Sequence, residues 1–137
     1  MQLHFSKPSE QDFKRVCDYI QAFELDDREL EKEQFCAAFD AHQLLGFGRL
    51  WQHEDCIELC SLGVIPSHRN TGIGKAITAM LIKQQQQPIY LVCIIPDFFS
   101  PFGFKEVTVY PPSIQQKLDY CRQSLPVAET YVAMRLR

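Results

Sequence analysis

A glycine-bearing turn lies near the middle of the chain, Val64-Ile65-Pro66-Ser67-His68-Arg69-Asn70-Thr71-Gly72-Ile73-Gly74-Lys75. Gly72 and Gly74 let the backbone come close to a ligand, and Ile73, Ala76, Ile77, Met80 and Leu81 mark one face of a helix that follows. The first turn of such a helix exposes N–H groups that have no partner within it, together with the positive end of its dipole. That arrangement binds an anion. A pyrophosphate suits it because several donors reach phosphate oxygens at once, with the charge of Arg69 nearby. The same turn also serves as a plain tight connection from strand to helix. Two other phosphate loops do not fit: a nucleoside-triphosphate loop ends in Gly-Lys-Ser/Thr, whereas Lys75 is followed by Ala76. A dinucleotide fingerprint carries three glycines after the first strand of a parallel unit, and this turn follows an antiparallel run.

Few other side chains are placed for chemistry. Glu58 sits on the strand before the turn, where alternation puts it on the face opposite Ile57 and Leu59, looking into a cleft or into solvent. The six cysteines (Cys17, Cys36, Cys56, Cys60, Cys93, Cys121) form no C-x-x-C pair, and most lie in apolar segments, so they are expected to be reduced, buried thiols. His4, His42, His53 and His68 lack ligand spacing, and no metal is expected.

The elements that must position these residues follow from periodicity. Residues 3–5 form a short strand, and Ser9 with Asp12 starts a helix whose stripe is Phe13, Val16, Cys17 and Ile20. The acidic residues 24–33 are expected to add an exposed helical turn or two. Segments 34–40, 44–51 and 56–64, separated by short polar turns, are expected to be three antiparallel strands. The glutamines 84–87 end the helix after the glycine turn, ahead of Pro88. Residues 89–95, a continuous apolar run between Pro88 and Pro96, form a central strand buried on both faces. A strand over 105–110, a helix over 113–125 and a closing strand over 131–136 complete the order β-α-α-β-β-β-α-β-α-β-α-β.

Composition limits the function classes. With 46% hydrophobic against 23% charged residues, the 137-residue chain is globular, and its length suits one domain over 1–137. A net charge of -3 leaves no broad electropositive surface for a nucleic acid. The N-terminal residues lack the order of a signal peptide, and no apolar run approaches the roughly 20 residues of a membrane span, so a cytoplasmic protein without membrane contact is expected.

Two motifs together point to a family. Arg69-Asn70-Thr71-Gly72-Ile73-Gly74 after Val64-Ile65-Pro66, and Phe98-Phe99-Ser100-Pro101-Phe102-Gly103-Phe104 further on, resemble the hallmarks of the GNAT superfamily of N-acetyltransferases over nearly the whole chain. The resemblance implies an α/β (α+β) fold: a mixed, mostly antiparallel central sheet of about six to seven strands flanked by helices, with a splayed fourth and fifth strand. It implies acetyl-CoA as cosubstrate and a small-molecule amine as acceptor. The coenzyme would be bound by Leu62, Gly63 and Val64, by the loop Arg69, Asn70, Thr71, Gly72, Ile73, Gly74 and Lys75, and by Phe99, in a cleft between the strand ending at Val64 and that at 89–95. Val64 would meet the thioester oxygen, and Glu58, eleven positions before Arg69, would be the base. Many GNAT enzymes carry a tyrosine acid where this chain has Phe99. Cys93 is a substitute acid or nucleophile, or a buried apolar residue. The stretch 111–124 is similar to the last helix of bacterial N-acetylglutamate synthase acetyltransferase domains, which implies an amino-acid acceptor and matches Arg122 and Ser124 to carboxylate-binding positions. Two functions remain: an N-acetyltransferase, or a silent module that senses acetyl-CoA. A monomer and a homodimer are both open, since the strand at 131–136 could pair between subunits.

Overall fold

The computed structural model describes residues 2–124 and 130–137, apart from the side chain of Ser124. The strands are β1 Leu3–Ser6, β2 Phe35–Asp40, β3 Gln43–Gln52, β4 Ile57–Val64, β5 Ile89–Cys93, β6 Lys105–Val107 and β7 Val132–Leu136. The α-helices are α1 Glu10–Ala22, α2 Ile73–Lys83, α3 Pro96–Phe99 and α4 Pro112–Ser124. The strands hydrogen-bond in the order β1-β2-β3-β4-β5-β7-β6, a mixed seven-stranded sheet. Contacts divide the chain into two compact units, Met1–Leu50 with Cys60–Gln84, and Trp51–Leu59 with Gln85–Arg137.

In the first unit, Ser9 Oγ accepts the Asp12 N–H at 3.1 Å and caps α1, with Glu10 and Asp12 in the first turn meeting the dipole. Val16 and Ile20 from α1 are fully buried among Phe35, Ala37, Phe39, Leu44 and Phe47 of β2 and β3. Each such side chain stabilises the fold by about 1.5–3 kcal/mol. Residues 24–33 are not helical as expected. Glu24 and Glu29 take left-handed backbone angles, and a 3-10 turn forms only at Lys32–Gln34. The cause is Arg49 of β3, which is 0% exposed. Its Nη1 donates to Gln34 Oε1 at 2.9 Å and to Glu29 O at 3.4 Å, and its Nη2 to Asp26 O at 3.4 Å. A buried guanidinium must have its donors met, so these carbonyls turn to Arg49 instead of closing a helix.

In the second unit, β5 runs parallel to β4 over a short register, Ile57↔Ile89 and Glu58↔Tyr90. β7 runs antiparallel to β5 from Ile89↔Leu136 to Cys93↔Val132, and β6 to β7 from Lys105↔Arg135 to Val107↔Ala133. β7 thus has both sheet neighbours inside this chain. α4 lays Ile114, Leu118 and Cys121 on Tyr131 and Ala133, with Tyr90, Val92 and Val107 alongside. Two strands are shorter than expected. β5 stops at Cys93 because Pro96 opens α3 and holds Ile95 out of the strand. β6 stops at Val107: Pro111 and Pro112 offer no N–H to a ladder, and Val109 is 85% exposed with no face to pack on.

Candidate functional site

The first unit holds the glycine turn. At the end of β4, Ser61 has φ 54°, a left-handed conformation inside a strand. Its hydroxyl accepts from Arg49 Nε at 2.9 Å and donates to Asp26 O at 2.7 Å, which fixes this break in the pleat. A Cβ on Gly63 would stand 2.7 Å from Phe47 Cζ, so a larger residue there requires the Phe47 ring to shift. Leu62 and Val64 are half-buried. Val64 O accepts from Arg69 Nε at 3.1 Å, and the Arg69 guanidinium lies 4.7 Å from the ring centre of Phe23, so this arginine ties the strand end to the loop. Asn70 adopts φ 65°, and Thr71 Oγ1 donates to His68 O. Gly72 follows at φ 87°, as the N-cap of α2. No side chain caps that helix, and a Cβ on Gly72 would meet nothing within 4 Å.

The N-terminus of α2 therefore opens onto free space with its N–H donors unmet by a capping side chain. The residues present fit an anion such as a pyrophosphate. Ile73 contributes only backbone, since its side chain is core together with Ile77, Thr78 and Leu81, while Lys75 is exposed.

The second unit holds Glu58, which is 0% exposed. Oε1 lies 2.8 Å from His53 Nε2, and Oε2 lies 3.3 Å from Lys117 Nζ of α4. An ionised carboxylate only accepts, so the bond to His53 requires the Nε2–H form of the ring. Among the described residues Oε2 finds no hydrogen bond of good geometry, and Lys117 meets it as a charge. An opposite charge and one hydrogen bond together compensate the burial of this carboxylate. His53 is itself held in place: its N–H donates to Cys56 O at 2.8 Å across the β3–β4 turn, and its ring stands 4.1 Å from that of Trp51.

Neither His53 nor Lys117 was singled out from the sequence, although a signal for Lys117 exists. Ile114, Lys117, Leu118 and Cys121 fall at i, i+3, i+4 and i+7, so the lysine occupies a core position of an amphipathic helix. His53 lies five residues before Glu58, a separation that becomes a contact only once the hairpin is drawn.

Other sequence candidates are placed as follows. Phe99 is buried at 5% exposure, edge-on to Phe98 at 4.9 Å and to Phe104 at 5.9 Å, and belongs to an aromatic cluster. Cys93 donates to Met134 Sδ at 3.7 Å, and burial raises its pKa, so it stays a thiol. Cys56 is pushed up to about 12 by burial and by the neighbouring Asp55 charge. Among the described residues none of the six cysteines forms a disulfide. Arg122 is exposed on α4, and the side chain of Ser124 lies outside the described residues. Among the described residues no helix is long and apolar enough to cross a membrane.

Known proteins share this architecture. Rv2747 from Mycobacterium tuberculosis, solved in complex with CoA and NLQ, superposes with a TM-score of 0.78 at 18% identity, covering 97% of this chain and 98% of that one. N-acetylglutamate synthase from Neisseria gonorrhoeae, solved with coenzyme A and N-acetyl-glutamate, gives 0.77 at 14% identity over 100% of this chain, which spans 35% of the synthase. The ribosomal-protein-S18-alanine N-acetyltransferase of Escherichia coli gives 0.68 at 15% identity, covering 98% and 93%. At these identities the likeness is one of fold. The model of the Acetyltransferase (GNAT) family matches residues 3–101, which hold the glycine turn, Glu58 and Phe99, and the chain belongs to that family.

Proposed function

We propose that this chain acts as one acetyltransferase domain over residues 1–137 and moves the acetyl group of acetyl-CoA to a primary amine of a small molecule by direct attack. The observation that carries this reading is Glu58, a fully buried carboxylate with one oxygen fixed by His53 and the other without a hydrogen bond. A carboxylate held in that way, on the strand that leads to an open anion site, is suited to take a proton from an amine directly or through one water. An alkyl amine of pKa near ~10.4 is mostly protonated at neutral pH and cannot attack until that proton is gone.

The roles divide along the chain. Arg69 to Lys75 hold the pyrophosphate, with backbone donors and the helix dipole carrying most of the recognition. The backbone of Leu62 and Gly63 takes the pantetheine arm. The N–H of Val64 stabilises the negative charge that develops on the thioester oxygen. Phe99 offers no hydroxyl, so the departing thiolate, whose parent thiol has a pKa near ~8.5, is protonated by water. An amino acid is the acceptor class favoured by the structural relative N-acetylglutamate synthase, solved with coenzyme A and N-acetyl-glutamate.

Glu58→Gln tests the assignment. It keeps the size and removes the basicity, and turnover at neutral pH should fall on the order of 10² to 10⁴ with coenzyme affinity nearly unchanged. Activity should recover partly at higher pH, where more amine is neutral without help. Because the change also leaves Lys117 less compensated, rates are to be compared well below the melting temperature of the variant. Full activity of Glu58→Gln across neutral pH, in a folded protein, would remove Glu58 from the mechanism.

A further inference from the structure

We infer that His53 is a positioning residue for Glu58, fixing which carboxylate oxygen is presented to the amine. The inference rests on the reading of Glu58 as the base and adds a residue to it. Four contacts immobilise His53. Its N–H donates to Cys56 O at 2.8 Å, its carbonyl accepts from Gln52 Nε2 at 2.9 Å, its ring lies 4.1 Å from that of Trp51, and its Nε2 reaches Glu58 Oε1 at 2.8 Å. The side chain is 12% exposed and that of Glu58 0%. A glutamate has three side-chain torsions, and a buried carboxylate without a directional partner can present either oxygen. Here the imidazole takes Oε1 and the ammonium of Lys117 stands 3.3 Å from Oε2, where it supplies charge without a hydrogen bond of good geometry. Oε2 is thereby the oxygen left to accept from the amine. A histidine kept only to offset a buried charge needs no such fixation of its own backbone and ring. The β3–β4 turn makes the device local, since five residues separate the two partners.

The test uses the whole chain, with acetyl-CoA turnover followed as free thiol on the best acceptor among L-amino acids, spermidine and a short peptide. His53→Gln carries an amide N–H where Nε2 stood, whereas the amide of His53→Asn is too short to reach Oε1 and His53→Leu has no donor. His53→Asn and His53→Leu should lose turnover by about tenfold to a hundredfold, the scale of a misplaced reacting group, with KM for acetyl-CoA unchanged. His53→Gln should keep most of the turnover. In a Glu58→Gln background, His53→Leu should cost little more, because nothing remains to position. The inference is overturned if His53→Asn keeps wild-type turnover, if His53→Gln falls as far as His53→Asn, or if the losses multiply in the double variant. Should Glu58→Gln alone keep full activity, the base reading itself falls, an outcome distinct from those three.

Discussion

At the scale of single residues, Gly72 concentrates the demands of the anion site. Its φ of 87° is open to glycine and strained for any L residue by roughly 1–2 kcal/mol, and the direction a side chain would take leads into the free space before α2. Gly72→Val should therefore lower the melting temperature modestly and weaken coenzyme A binding by tenfold or more, measured by calorimetric titration of the folded variant. Unaltered affinity would move the pyrophosphate elsewhere. The turn could be found from residue types and spacing, whereas Glu58 was picked out as a base only by the family resemblance. What surrounds Glu58 could not be found, because His53 becomes its neighbour only once the β3–β4 turn is drawn, and Lys117 comes from a helix far along the chain. The side chains of Ile73 and Phe99 lie in the core, and a linear motif does not separate a backbone contribution from a side-chain one.

At the scale of elements, the β3–β4 turn and α4 are tied by Asp55, whose Oδ2 accepts the Ser113 N–H at 3.0 Å at the start of the helix. Burial acts to raise the carboxyl of Asp55, but hydrogen bonds from Ser113 and Cys56 outweigh it and hold the group below the usual carboxylate range. A depressed value in the folded protein means stability that is present above the unfolded pKa of ~3.9 and lost as the pH falls through the folded value. Asp55→Ala should cost about 0.5–1 kcal/mol at pH 7, the lower part of the range for a helix cap because the residue is exposed. The difference between wild type and variant should shrink toward zero below pH 4 in thermal melts. An equal difference at pH 7 and pH 3 would show that the tie is not the ionised carboxylate. The same scale explains which elements were legible. α1, α2 and α4 carry their periodicity in their own residues, whereas the path of residues 24–33 is decided by Arg49, which calls on their carbonyls from a strand at least 16 positions further on.

At the scale of the whole molecule, the order of elements matched the family pattern closely enough that a mixed, mostly antiparallel sheet of about six to seven strands was readable from a single chain, while the short parallel register of β4 and β5 came from the structure. The acceptor was not, since the residues that would choose it come from connections and strand ends rather than from a periodic pattern. The central claim is that the coenzyme is a cosubstrate here and not merely a ligand. It is tested most directly by measuring free thiol and N-acetyl product together, from acetyl-CoA and a panel of L-amino acids, polyamines and peptide N-termini. The prediction is that at least one amine yields thiol and N-acetyl product in equal amounts, at a rate that falls in Glu58→Gln. Tight binding of acetyl-CoA with no amine raising thiol release above spontaneous hydrolysis would contradict it and identify a coenzyme sensor instead.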